Sequence, residues 1–171
     1  MDKVFLDTCV LYPPILRDLL LGLADIGLYT PMWSQGVAAE WVHVMARRGQ
    51  TGAVEALERM SLRWPDGIAP RGEPDVLDLP DPADRHVLAS AHAGGAGVLL
   101  TLNLRDFPRR AVAPLGVVVT APDEFTMALW LAHPQPVEDQ VTRVWPGLRG
   151  RALRNALKRA GLPRLGKALE V

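Results

Sequence analysis

The chain is poor in cysteine, and that scarcity bounds its chemistry first. Cys9 is the one cysteine among 171 residues, so neither an intrachain disulfide nor a thiolate zinc cluster can form. The histidines, His43, His86, His92 and His133, lack the spacing of a zinc site. No apolar run reaches the roughly 18 residues of a membrane span. The start, Met1-Asp2-Lys3, meets an acid too early for a secretory leader. Glycine-rich phosphate loops of the G-x-x-x-x-G-K and G-x-G-x-x-G kinds are also missing, so nucleotide binding has no support. The expectation is a cytoplasmic protein without a membrane segment.

What the chain does contain is enough apolar sequence, 49%, to bury a core. Its zero formal charge conceals an asymmetry. Up to Thr142 there are 11 basic and 18 acidic residues; from Arg143 onward there are 8 basic residues against Glu170 alone. An acidic body with a basic tail suits a protein that gathers cations in one place and meets a polyanion in another. A solvated helical face would account for the tail equally well.

Apolar runs alternate with helical patterns. Val4-Phe5-Leu6 reads as a buried parallel strand ending at Asp7. Further strands are expected near residues 28–31, 75–78, 97–101 and 116–120. Helices are expected over 15–26, 33–48, 53–62, 81–93 and 122–131. After Pro134, short helices are separated by prolines and glycines. Alternating strands and helices indicate an α/β domain with a mainly parallel sheet over residues 1–133. A basic helical extension would occupy 134–171.

Parallel sheets place ligands at the carboxyl ends of their strands. Asp7 lies there. Glu40 borders the apolar stripe made by Val37 and Val44, and Asp84 shares a helix face with Val87, Leu88 and Ala91. Thr101, Asn103 and Asp106 follow the strand that starts at Gly97. In Asp81-Pro82-Ala83-Asp84, Asp81 takes the helix-capping role and Pro82 the first helical position, which releases Asp84 for other work. Each acid alone also fits a turn or surface role; the set is what points to a site. Carboxylates brought together repel unless one is protonated or a cation intervenes. An all-oxygen donor set favours Mg²⁺ or Mn²⁺ over zinc or copper, and a metal-activated water is the natural nucleophile for phosphodiester hydrolysis.

At these residues the chain resembles the PIN-domain ribonuclease family. The motifs are Val4-Phe5-Leu6-Asp7-Thr8-Cys9-Val10-Leu11, Glu40 inside a long helix, Asp81-Pro82-Ala83-Asp84-Arg85-His86, and Leu100-Thr101-Leu102-Asn103-Leu104-Arg105-Asp106-Phe107-Pro108. The similarity spans roughly residues 3 to 130 and is greatest to VapC-like toxins of bacterial toxin–antitoxin pairs. It implies a three-layer α/β/α fold and a metal-dependent endoribonuclease acting on single-stranded RNA and leaving a 5′-phosphate. Asp7, Glu40, Asp84 and Asp106 would ligate the metal, with Thr101, Asn103 and Asp81 in support. Many relatives have Asp where Asn103 stands, so the fourth ligand is Asp106 or Asn103. Implied partners are RNA, an antitoxin protein and a second copy of the chain. In the tail helix, Arg151, Arg154, Lys158 and Arg159 are candidate phosphate contacts. The alternatives are a non-catalytic PIN-like module that binds RNA or protein, and a phosphatase with Asp7 as nucleophile. The second Asp such phosphatases carry two residues on is here Cys9.

Overall fold

Val4, Phe5 and Leu6 are wholly buried and form the body of strand β1 (Lys3–Leu6), one of two central strands in a parallel sheet. We describe residues 1–170 in a computed structural model. Three further strands, β2 (Thr30–Met32), β3 (Val98–Leu100) and β4 (Val118–Thr120), complete the order β2-β1-β3-β4. All three pairings are parallel, with Phe5 opposite Met32 and Leu99, and Leu99 opposite Val119.

Ten α-helices surround the sheet among the described residues. They are α1 (Thr8–Leu11), α2 (Pro14–Asp25), α3 (Gln35–Arg47), α4 (Ala53–Arg63), α5 (Arg85–Ala93), α6 (Arg109–Val112), α7 (Pro122–Ala132), α8 (Pro134–Val144), α9 (Gly150–Arg159) and α10 (Pro163–Ala168). From β1 the chain steps to β2 on one side, then returns past β1 to β3 on the other. The β1–β2 connection carries α1 and α2, and the β2–β3 connection carries α3 to α5, with α1 packed against α3. The result is an α/β fold consistent with three α/β/α layers. No described helix is long and apolar enough to cross a membrane.

Local chemistry explains the element boundaries. In α2, Leu16, Leu19, Leu20 and Leu23 recur at helical spacing and are all buried. The expected helix start at Trp33 moves to Gln35, because the Ser34 hydroxyl accepts the Val37 N–H at 3.1 Å and so caps α3. Trp33 itself is extended and bridges Ile68. The strand expected over 75–78 is absent. Pro74–Val76 is instead a 3₁₀ turn with Val76 74% exposed; its proline has no N–H for a ladder, and nothing buries the valine. The helix expected from Asp81 starts as a 3₁₀ turn, Pro82–Asp84, before α5 proper.

The last three helices pack on the same core as the sheet. α8 lies against α2 and α7, and α10 against α7 and α9. Val137, Val141, Leu157, Leu162 and Leu165 are buried within the cluster that holds Phe5 and Leu20. Gly22 faces Gln140 of α8: a Cβ there would stand 2.7 Å from Gln140 Oε1, so that side chain would have to shift.

Candidate functional site

The strand order reverses between β1 and β3, where an open parallel sheet forms its ligand crevice. Asp7 ends β1 at that point, and Thr101 follows β3 beside it. The Asp7 N–H donates to the Leu100 carbonyl at 3.1 Å. The Thr101 hydroxyl donates to Asp7 Oδ2 at 2.8 Å, and the Thr8 N–H donates to Asp7 Oδ1 at 2.7 Å. Asp7 is only 7% exposed and Thr101 is fully buried. The carboxylate is thus held in one orientation by donors to both oxygens.

Thr8 continues the connection outward. Its hydroxyl donates to Glu40 Oε2 at 3.0 Å, tying α3 to the end of β1. Val37 and Trp41 bury the other side of α3, and Arg17 stacks its guanidinium 5.0 Å from the Trp41 ring centre. Glu40 is exposed but directed. His86 Nε2 lies 3.8 Å from the same Glu40 oxygen.

Asp81 accepts the Ala83 N–H at 2.9 Å and caps the Pro82–Asp84 turn, as its position before proline predicts. Asp84 makes no capping bond. Its carboxyl is pushed up to about 6 by partial burial, then by the charges of Asp106, Asp81, Asp7 and Glu40. All the sequence-predicted acids therefore act on Asp84 electrostatically. Asp106 is half-buried in the 3₁₀ turn Leu104–Asp106. Asn103 is exposed, and its N–H donates to Thr101 Oγ1 at 3.1 Å. That places Asn103 behind the threonine that positions Asp7.

The acids gather but do not close on one point. Among the described residues, no three His, Cys, Asp or Glu side chains are arranged to hold a metal ion together. Mg²⁺ retains several waters and often takes only one or two carboxylates directly, so a closed three-carboxylate cluster is not a requirement for that ion. Arg151, Arg154, Lys158 and Arg159 are all exposed on α9, and Arg154 pairs with Glu170 at 2.6 Å.

Two residues have closer ties to the site than sequence reasoning assigned them: Thr8, through Glu40, and His86, through the same carboxylate. Both lie inside the quoted motifs, one residue after Asp7 and two after Asp84, and that adjacency was the available signal. Cys9 is inert. Burial and then the Asp7 charge push its thiol up to about 12, and its sulfur accepts the Leu102 N–H at 3.2 Å.

Asp84 has a stability consequence. Its folded-state pKa is raised, so its contribution to stability is full below the ordinary carboxylate value of 3.8 and is lost as pH rises through about 6. Asp84→Asn removes the repulsion. Without divalent ions it should melt above the wild type at pH 8, by a margin that shrinks toward pH 4. Solvent screening of this half-buried group keeps the gain modest. Thermal melts at pH 4, 6 and 8 check this, and a pH-independent difference would contradict it.

Comparison with protein-family models, with curated proteins and with solved structures finds no match.

Proposed function

We propose that the protein is a PIN-like, metal-dependent endoribonuclease that hydrolyses phosphodiester bonds of single-stranded RNA. One observation carries the reading: beyond its partial burial, the Asp84 carboxyl is raised by the nearby charges of Asp106, Asp81, Asp7 and Glu40, which the fold brings within electrostatic reach of it. Asp81 is occupied in capping, which leaves Asp7, Glu40, Asp84 and Asp106 as the acids to hold Mg²⁺ or Mn²⁺. A bound divalent ion would offset their repulsion, lower the pKa of a water and stabilise charge on a phosphate.

The chain's own residues do the positioning. Thr101 and the Thr8 N–H fix Asp7, the Thr8 hydroxyl turns Glu40 toward it, and Asn103 holds Thr101 in place. Without a metal, burial and the neighbouring acids raise the Asp84 carboxyl to about 6; a bound cation would bring it down again and keep Asp84 ionised as a ligand. RNA is the substrate in this reading, and the cytoplasm its setting. An antitoxin protein covering the acids is the further partner if the chain acts as the toxin of a pair.

A second reading, a non-catalytic PIN-like module that binds RNA or protein, is favoured by the lack of a closed three-ligand cluster among the described residues. Incubation of the pure chain with mixed-sequence single-stranded RNA, in Mg²⁺, in Mn²⁺ and in EDTA, separates the two. Cleavage with either metal and none in EDTA is the expected result. Intact RNA after incubation with folded, metal-loaded protein would favour the binding module.

A further inference from the structure

We infer that the cleft between α9 and α10 binds phosphates of single-stranded RNA and leads its backbone toward the acidic edge. The inference rests on the RNA reading above and adds where the polymer is held. Arg154 and Lys158, one turn apart on α9, face Arg164 and Lys167 of α10 across a cleft of about 300 Å³. All four are exposed. The helices can approach because residue 166 is glycine: a Cβ there would sit 3.0 Å from the Arg154 carbonyl.

Four cations line one cleft, with Glu170 on Arg154 and Asp123 at the Arg164 end as the neighbouring acids, so an excess of positive charge remains. Among the described residues Arg154 pairs with Glu170, while Lys158, Arg164 and Lys167 have no ion-pair partner. A cleft of one sign concentrates potential and draws in an anion. Its lining contains no aromatic side chain, so it offers phosphate contacts without a platform for stacking bases. Sequence-independent backbone binding follows.

The orientation of the cleft comes from Asp123. Its carboxylate accepts the N–H groups of Arg164, at 3.1 Å, and Leu165, at 3.2 Å, capping α10. Asp123 lies in the first turn of α7, three residues beyond the carboxyl end of β4. The Arg164 end of the cleft is therefore tied to the sheet edge at which Asp7 and Thr101 end their strands. A single strand gripped between α9 and α10 has a route from cationic cleft to carboxylates.

The test measures binding apart from cleavage. A fluorescein-labelled 12-nucleotide single-stranded RNA of mixed sequence is titrated with full-length protein in EDTA, across a range of salt. Lys158→Gln/Arg164→Gln/Lys167→Gln should weaken binding about tenfold near 0.1 M salt and flatten the log K against log salt slope by about 2. Arg151→Gln/Arg159→Gln, outside the cleft, should have a much smaller effect. All five positions are exposed, so both variants should melt with the wild type. Equal effects of the two variants, or none from the triple one, would overturn the inference. Cleft-dependent binding without any cleavage in Mg²⁺ would keep the groove and remove the nuclease reading. Cleavage with cleft-independent binding would do the reverse.

Discussion

Asp7→Asn should lower metal-dependent RNA cleavage by about 100-fold or more while the protein stays folded, the scale seen when a preorganised charged or donor group is lost from an active site. The substitution keeps the shape and most of the hydrogen bonding. The amide oxygen can still accept the Thr8 N–H, which now approaches Oδ1 at 2.7 Å. The amide nitrogen can donate to Thr101, whose hydroxyl can then turn toward the Cys9 sulfur 3.4 Å away. One negative charge is what disappears.

Asp7→Ala is a different experiment. It strands the buried Thr8 N–H, at about 1–3 kcal/mol, so lost activity would be mixed with lost stability. Asn is the informative variant, and it carries a readout besides rate. Since the Asp7 charge helps raise Asp84, Asp7→Asn should move the Asp84 carboxyl down from about 6, measurable by NMR titration without metal. Wild-type cleavage by Asp7→Asn under the same metal would refute the assignment of this acid.

The second large effect concerns the last three helices. A chain ending at residue 133 should fail to fold cooperatively, although the alternation of strands and helices marks that point as the end of the α/β body. Removing α8 uncovers the faces of α2 and α7 against which Val137 and Val141, 0% and 2% exposed, now pack. Leu157, Leu162 and Leu165, all 0% exposed, go with α9 and α10. Each buried aliphatic side chain contributes about 1.5–3 kcal/mol, and a whole domain is stable by only about 5–15 kcal/mol. The five lost side chains amount to about 7.5–15 kcal/mol, as large as that reserve. A milder probe in the full chain is Leu157→Ala, expected to cost about 2–5 kcal/mol through lost burial and the cavity left behind. Urea unfolding followed by circular dichroism measures both. A cooperative transition for residues 1–133 near that of the full chain would contradict the shared core.

Some features were legible because their causes are local. Three apolar residues followed by Asp7 predict a buried strand ending in an acid, since a strand covered on both faces needs no alternation. Asp81 before Pro82 predicts a cap, since proline prefers the first helical position and lacks the N–H that would be orphaned there. From that division of labour Asp84 could be picked out without coordinates. The strand expected over 75–78 failed for an equally local reason: its valine had nothing to pack on, and Pro74 could not join a ladder.

The sequence by itself determined the alternating elements, the acids at their ends and the basic character of the tail, because helix periodicity, capping and composition act within a few residues. It could not determine which distant groups meet. The hydroxyl of Thr8 reaches Glu40 across 32 positions, and that of Thr101 reaches Asp7 across 94. Those meetings depend on the order β2-β1-β3-β4, which brings the ends of β1 and β3 side by side. The same holds for the tail. Tertiary packing decided that α8 lies on α2 and that Asp123 ties α10 to the sheet edge. A carboxylate pairs with whichever buried N–H the fold presents to it, and only the assembled core sets which one that is.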